Sequence, residues 1–155
     1  GGRGLRSSAR RHRGRTDARL RDTRADLPHP RRVAAHLEYD EKLPRMLFAG
    51  ADAILIPSRF EPSGLVQMEA MRYGSIPIVR KTGGLADSVE DGVTGFVFKK
   101  YQTSALVRAM ERTMAAWQKK KSWKTMVKRA MRQDFSWKRS AGEYLELYRT
   151  LLKAE

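Results

Sequence analysis

With 155 residues, 41% of them hydrophobic, the chain is long enough for one domain or a large piece of one, and apolar enough to bury a core. It contains no cysteine, which excludes disulfides and cysteine-ligated metal, and no apolar run approaches the ~20 residues that span a bilayer. The formal charge of +15 would point to nucleic acid if it were spread over a folded surface, but residues 1–32 carry eleven Arg against three Asp, and residues 33–155 carry 21 Lys or Arg against 14 Asp or Glu. Neither nucleic acid nor a membrane is therefore the expected partner.

Residues 1–32 are rich in Arg, Gly, Ser and Pro, lack aromatics, and offer only Leu5, Leu20 and Leu27 as large apolar groups. Such a segment buries too little surface to offset its ordering entropy. It reads as disordered or out of frame. A basic arm for phosphate polymers and a targeting peptide are the alternatives. Against the second stand three Asp and the lack of an apolar secretory core. The abrupt change of character at Val33 favours an out-of-frame translation of a GC-rich gene.

From Val33 onward each segment has a recognisable period. Residues 33–37 read as a short buried strand, with His36 packed inside it. Tyr39 follows, and then Asp40 and Glu41 open a helix over residues 42–49 that Gly50 stops. Residues 52–57 form the next strand, apolar enough for a parallel strand covered on both faces. A helix over residues 65–73 ends at Gly74, and a strand over 76–79 leads into the tight loop Thr82-Gly83-Gly84. A short helix over 85–89, a turn at Asp91-Gly92 and a strand over 94–98 complete the alternation.

The remainder is helical. Thr103 is a candidate cap for a helix whose inner face carries Leu106, Met110, Met114 and Trp117. Lys119 to Lys121 read as an exposed break before a helix over 122–132. Ser136 caps a last helix with Tyr144, Leu145, Tyr148, Leu151 and Leu152 facing inward. The pattern is an α/β fold: a doubly wound parallel sheet with a C-terminal helical tail.

Ligands of such folds bind at the carboxyl ends of the strands. Glu61 falls at one such end, and the amides of Gly64 and Leu65 lie at a helix N-terminus, which favours anions. Glu69 stands one turn into that helix, placed to share a crevice with Glu61; an exposed helix position is its bland alternative. Arg59 faces either a phosphate or Glu61. The loop Thr82-Gly83-Gly84 offers amides to a phosphate, although paired glycines are more often turn chemistry. Arg80 and Lys81 add positive potential beside it. Tyr39 is placed to stack on a flat ring or to pack. Neither a metal-ligand spacing nor a Ser-His-Asp order is present.

Together these motifs resemble the C-terminal domain of starch and glycogen synthases, retaining glucosyltransferases of the GT-B architecture. The matching stretches are residues 39–43, 49–52, 57–65, 71–74, 81–87 and 95–98, with the tail Asp134-Phe135-Ser136-Trp137. The resemblance covers about four fifths of the chain, and its order and spacing are highly specific. It implies a partial Rossmann-like GT-B C-terminal domain over residues 33–155. It implies transfer of glucose from ADP-glucose to the non-reducing end of an α-1,4-glucan, with no metal or cofactor.

In that family Glu61 would stand beside the donor glucose as the catalytic residue, Gly64 and Leu65 at sugar and phosphate, and Thr82, Gly83 and Gly84 on the diphosphate side. Tyr39 would stack on adenine and Glu69 match the second acid. The N-terminal domain and the family's phosphate-binding Arg and Lys have no counterpart here, so the isolated chain is expected to be inactive. Ser63 stands where the family often has Cys. The expected compartment is the plastid for a plant or algal source and the cytoplasm for a bacterial one. Another GT-B transferase with a different nucleotide sugar, and a polyanion binder acting through residues 1–32, are the alternatives.

Overall fold

Apolar runs of four or five residues, punctuated by glycine or proline, are too short for a stable helix and bury their backbone polar groups most readily by pairing as strands. In the computed structural model, which describes residues 33–36 and 38–153, three of them do so in parallel. Residues 1–32 and Leu37, with what the sequence predicts for them, lie outside the described residues. The chain divides at Asp40 and Glu41 into two units, each described by itself.

In the first unit the predicted strand does not form: residues 33–36 have no regular structure, and His36 is exposed rather than packed. An apolar run becomes a strand only where a neighbour completes its ladder, and no pairing among the described residues includes this one.

The second unit runs α1 (Leu43–Gly50), β1 (Ala53–Ile56), α2 (Val66–Tyr73), β2 (Ile76–Arg80), α3 (Gly83–Ser88), β3 (Phe96–Phe98), α4 (Thr103–Gln118), α5 (Lys120–Met131) and α6 (Trp137–Leu152). The strand order is β1-β2-β3, with Leu55 opposite Ile78 and Ile78 opposite Phe96. The expected α/β fold, with a parallel sheet and a helical tail, is the observed one. Gly74 ends α2 in the left-handed conformation at φ 91°. Among the described residues β2 is the central strand, and Ile76, Ile78 and Val79 are buried. Among the described residues β1 is an edge, and Leu55 is exposed there, which corrects the expectation of a strand covered on both faces. Its composition suits a strand with two neighbours, and the described sheet supplies one.

The core joins Met71, Ile76, Val79, Leu85, Phe96, Phe98, Ala109, Trp123 and Ala130. α4 meets it with Ala105, Ala109 and Thr113, one residue round from the predicted row. Small groups on that face let the helix come close to β3, whereas Met110, Met114 and Trp117 are left exposed. Of these, Met114 and Trp117 line an apolar cavity of about 350 Å³ with Ala53 and Trp123, and Lys120 covers the Trp117 ring with its Nζ 3.1 Å from the centroid. Thr103 is the first residue of α4 rather than its cap; Gln102 holds the cap position.

Ser136 does cap α6, accepting from the Arg139 amide at 3.4 Å. Hydrogen bonds from Ser136 hold the Asp134 carboxyl below its ordinary pKa. The predicted inner face of α6 is not covered: Tyr144, Leu145, Tyr148, Leu151 and Leu152 are all exposed, and α6 buries no residue. Their spacing is that of a packing face for which the described residues offer no partner.

Candidate functional site

Two loops leave the carboxyl ends of adjacent parallel strands, residues 57–65 after β1 and Lys81-Thr82 after β2. They meet backbone to backbone. The Gly84 amide donates to the Pro62 carbonyl at 3.2 Å. A Cβ on Gly83 would lie 1.9 Å from the Glu61 carbonyl oxygen, and one on Gly84 1.9 Å from that of Ser63. Neither distance is compatible with a side chain, so both glycines are required by close approach. α3 accordingly begins at Gly83, two residues before the sequence reading placed it, with Thr82 extended at its cap.

The Gly84 amide is thus engaged within the protein. No protein acceptor among the described residues takes the amides of Gly64 or Leu65. Gly64 has φ +73°, a left-handed conformation that L side chains rarely adopt. Leu65 follows it in the cap position of α2 and is exposed. These two amides lie where the helix dipole favours negative charge.

Glu61 is half-buried in the same loop, and the Ser58 hydroxyl approaches its Oε2 at 3.5 Å. Arg59 is exposed and forms no ion pair with Glu61. Arg80 holds the loop instead. From the end of β2 its Nε donates to the Ser58 carbonyl at 2.9 Å and its Nη2 to the Arg59 carbonyl. Its guanidinium also lies 5.7 Å from the Tyr101 ring centroid. The sequence reading assigned Arg80 a diffuse positive potential; its hydrogen bonds make it a tether. Charge-assisted bonds of this kind contribute about 2 kcal/mol, so Arg80→Met is expected to lower unfolding stability by that order and to speed tryptic cleavage after Arg59. An unchanged urea midpoint would refute the tether.

Glu69 is exposed and lines a different cavity, of about 380 Å³, with Met68, Arg72, Asp134, Phe135 and Ser136. Glu61 is not among the residues that line that cavity. Tyr39 belongs to the unit that ends at Asp40 and is exposed. Gln67 carries no motif signal in the sequence, yet it is buried and bonded to the Glu61 loop and to Ser88 of α3. A polar residue in the first turn of a helix gives no sign, by itself, of which loops will fold over it.

Residues 14–130 match the family model described as glycosyl transferases group 1. The chain belongs to that family. A glycogen synthase of Thermodesulfovibrio yellowstonii is 51% identical over 124 residues, which is 80% of this chain and 25% of that protein. A glycogen synthase of Anaeromyxobacter sp. strain K is 50% identical over 133 residues, 83% of this chain and 28% of the relative. Among solved structures, the catalytic domain of starch synthase IV from Arabidopsis thaliana, bound to ADP and acarbose, superposes with a TM-score of 0.73 at 40% identity. It covers 88% of this chain and 29% of that one. This group 1 glycosyl transferase chain therefore spans about a quarter of the length of the curated relatives it matches. The likenesses agree with the resemblance to starch and glycogen synthases and do not favour the alternatives.

Proposed function

We propose that residues 33–155 are the later, donor-holding part of a glycosyltransferase of the starch or glycogen synthase type. The observation that carries this reading is the pair of loops at adjacent strand ends. One presents a half-buried acid, Glu61, and two amides, Gly64 and Leu65, that no acceptor among the described residues takes; the other locks against it through Gly83 and Gly84. Departure of a nucleoside diphosphate puts negative charge on its oxygens and positive character on the sugar. Amides and cations answer the first, and a carboxylate answers the second.

The donor is ADP-glucose and the acceptor the non-reducing end of an α-1,4-glucan, with retention of configuration. Glu61 is the catalytic residue beside the glucose. Gly64 and Leu65 hold sugar and phosphate, and Thr82, Gly83 and Gly84 form the diphosphate side, with Gly84 acting through its shape because its amide is occupied. Arg59, free of an ion pair with Glu61, faces the phosphates. Tyr39 stacks on adenine, and Glu69 contacts the nucleotide from its own cavity. This reading uses no metal.

The test is a chimera in which residues 33–155 replace the matching stretch of the T. yellowstonii glycogen synthase. The folded chimera is expected to transfer glucose to glycogen from ADP-glucose in preference to UDP-glucose or GDP-mannose, whereas the isolated chain shows no or very weak transfer. A folded chimera inactive with every nucleotide sugar, or an isolated chain working at the intact enzyme's rate, would overturn the reading.

A further inference from the structure

Gln67 stands in the first turn of α2 with 0% of its surface exposed. A long amide in that position needs a reason, because burying one without partners is costly. Its Nε2 donates to the Gly64 carbonyl at 2.7 Å, to the Ser88 hydroxyl at 3.0 Å and, more weakly, to the Ser63 carbonyl at 3.4 Å. Ser88 in turn donates to the Gly84 carbonyl at 2.6 Å. One amide group therefore ties the Glu61 loop to α3. Its other half is unmatched: Oε1 is buried without a hydrogen-bond partner, facing the spot where a Cβ on Gly64 would lie 2.7 Å away. A leucine or methionine would fill the same volume without an orphaned acceptor. The donor half of the side chain is what distinguishes Gln67 from such a filler.

That half has a geometric consequence. In a trans peptide the carbonyl and the following amide point in opposite directions. With the Ser63 and Gly64 carbonyls drawn inward to Nε2, the Gly64 and Leu65 amides are turned away from Gln67. Those are the two amides that no group among the described residues engages.

We infer that Gln67 is a positioning residue for the donor: it aims the Gly64 and Leu65 amides at the anionic group of a nucleoside diphosphate sugar and, through Ser88, fixes how far α3 stands from them. The inference rests on the donor-site reading above. It predicts that loss of the amide donors disturbs the site locally, without loosening the sheet.

The experiment uses the whole chain, labelled with ¹⁵N, with ADP as the probe. In the unsubstituted chain ADP is expected to shift the Gly64 and Leu65 amide signals, and the Gly84 amide is expected to be protected from hydrogen exchange. Gln67→Leu should lose that ADP response and roughly tenfold of the Gly84 protection, the worth of about one hydrogen bond, with Ile78 and Ala109 unaffected. Ser88→Ala should lower Gly84 protection while keeping the ADP response. Gln67→Glu should fail at neutral pH, where a carboxylate faces two carbonyls. It should regain both signatures as its carboxyl, its pKa raised by burial, takes up a proton and can donate again. An ADP response in Gln67→Leu equal to the unsubstituted chain's would overturn the inference, as would loss of protection spread evenly over Ile78 and Ala109. An unsubstituted chain whose Gly64 and Leu65 amides ignore ADP, while Gly84 protection still depends on Gln67, would overturn the donor-site reading and the positioning role with it.

Discussion

Gly84→Ala is expected to cost the chain about 3 kcal/mol of unfolding stability, the upper end of what overpacking does. The added Cβ would meet the Ser63 carbonyl oxygen at 1.9 Å, with the Ser63 carbonyl carbon and Cα at 2.6 and 2.7 Å. All three are backbone atoms, so no flexible side chain can swing aside. Relief requires the Glu61 loop and α3 to part, which breaks the Gly84 to Pro62 hydrogen bond at 3.2 Å and pulls Ser88 from Gln67. Gly83→Ala meets the Glu61 carbonyl equally closely and adds the strain of φ +43°. A domain has roughly 5–15 kcal/mol in all, so either change removes a large share of it. Gly142→Ala is the control, since nothing lies within 4 Å of its Cβ position inside α6; helicity there should rise slightly. Urea unfolding followed by circular dichroism measures all three. A Gly84→Ala midpoint equal to the starting chain's would mean that the loops are not in contact in solution.

This contact also marks how far the sequence could be read. Two glycine loops following parallel strands predict convergence, because parallel strands release both at one edge of the sheet. Ala53–Ile56 lies between Asp52 and Pro57, and the apolar part of Ile76–Arg80 follows Gly74 and Ser75, and their type was legible for that reason. The face of α4 was not. Ala105, Ala109 and Thr113 lie one residue, or about 100°, round from Leu106, Met110 and Met114. Both rows have helical spacing, and hydrophobicity alone selects the larger one. What decides is how near β3 stands, a tertiary distance that no periodicity encodes. Residues 33–36 fail for a related reason: strand character becomes a strand only when a ladder partner is present. Gln67 was invisible because its importance lies in the carbonyls it reaches, and backbone carbonyls leave no trace in a sequence. Arg80 could have been suspected, since a charged residue ending a buried strand needs acceptors and the neighbouring loop end is the place to find them.

In the chimera carrying residues 33–155, Glu61→Gln is expected to lower kcat by roughly 10²–10³-fold, in line with the loss of a single preorganised electrostatic group from a reacting centre. The amide keeps the size of the carboxylate and one acceptor oxygen, so the half-buried loop should hold its shape. What disappears is a full negative charge opposite the sugar carbon as the diphosphate departs. That interaction is strongest in the transition state, and KM for the donor should therefore change little while kcat and kcat/KM fall together. Glu61→Asp withdraws the carboxylate by one methylene and should fall between the two. Glu69→Gln supplies the contrast. Glu69 lines a cavity with Arg72 and Asp134 whose lining does not include Glu61, so its substitution should raise KM for the donor a few-fold and spare kcat. A Glu61→Gln chimera that folds and keeps kcat within threefold would remove Glu61 from the chemistry. A kcat loss for Glu69→Gln as large as that for Glu61→Gln would place the reacting carbon nearer the α2 cavity than the two-loop edge.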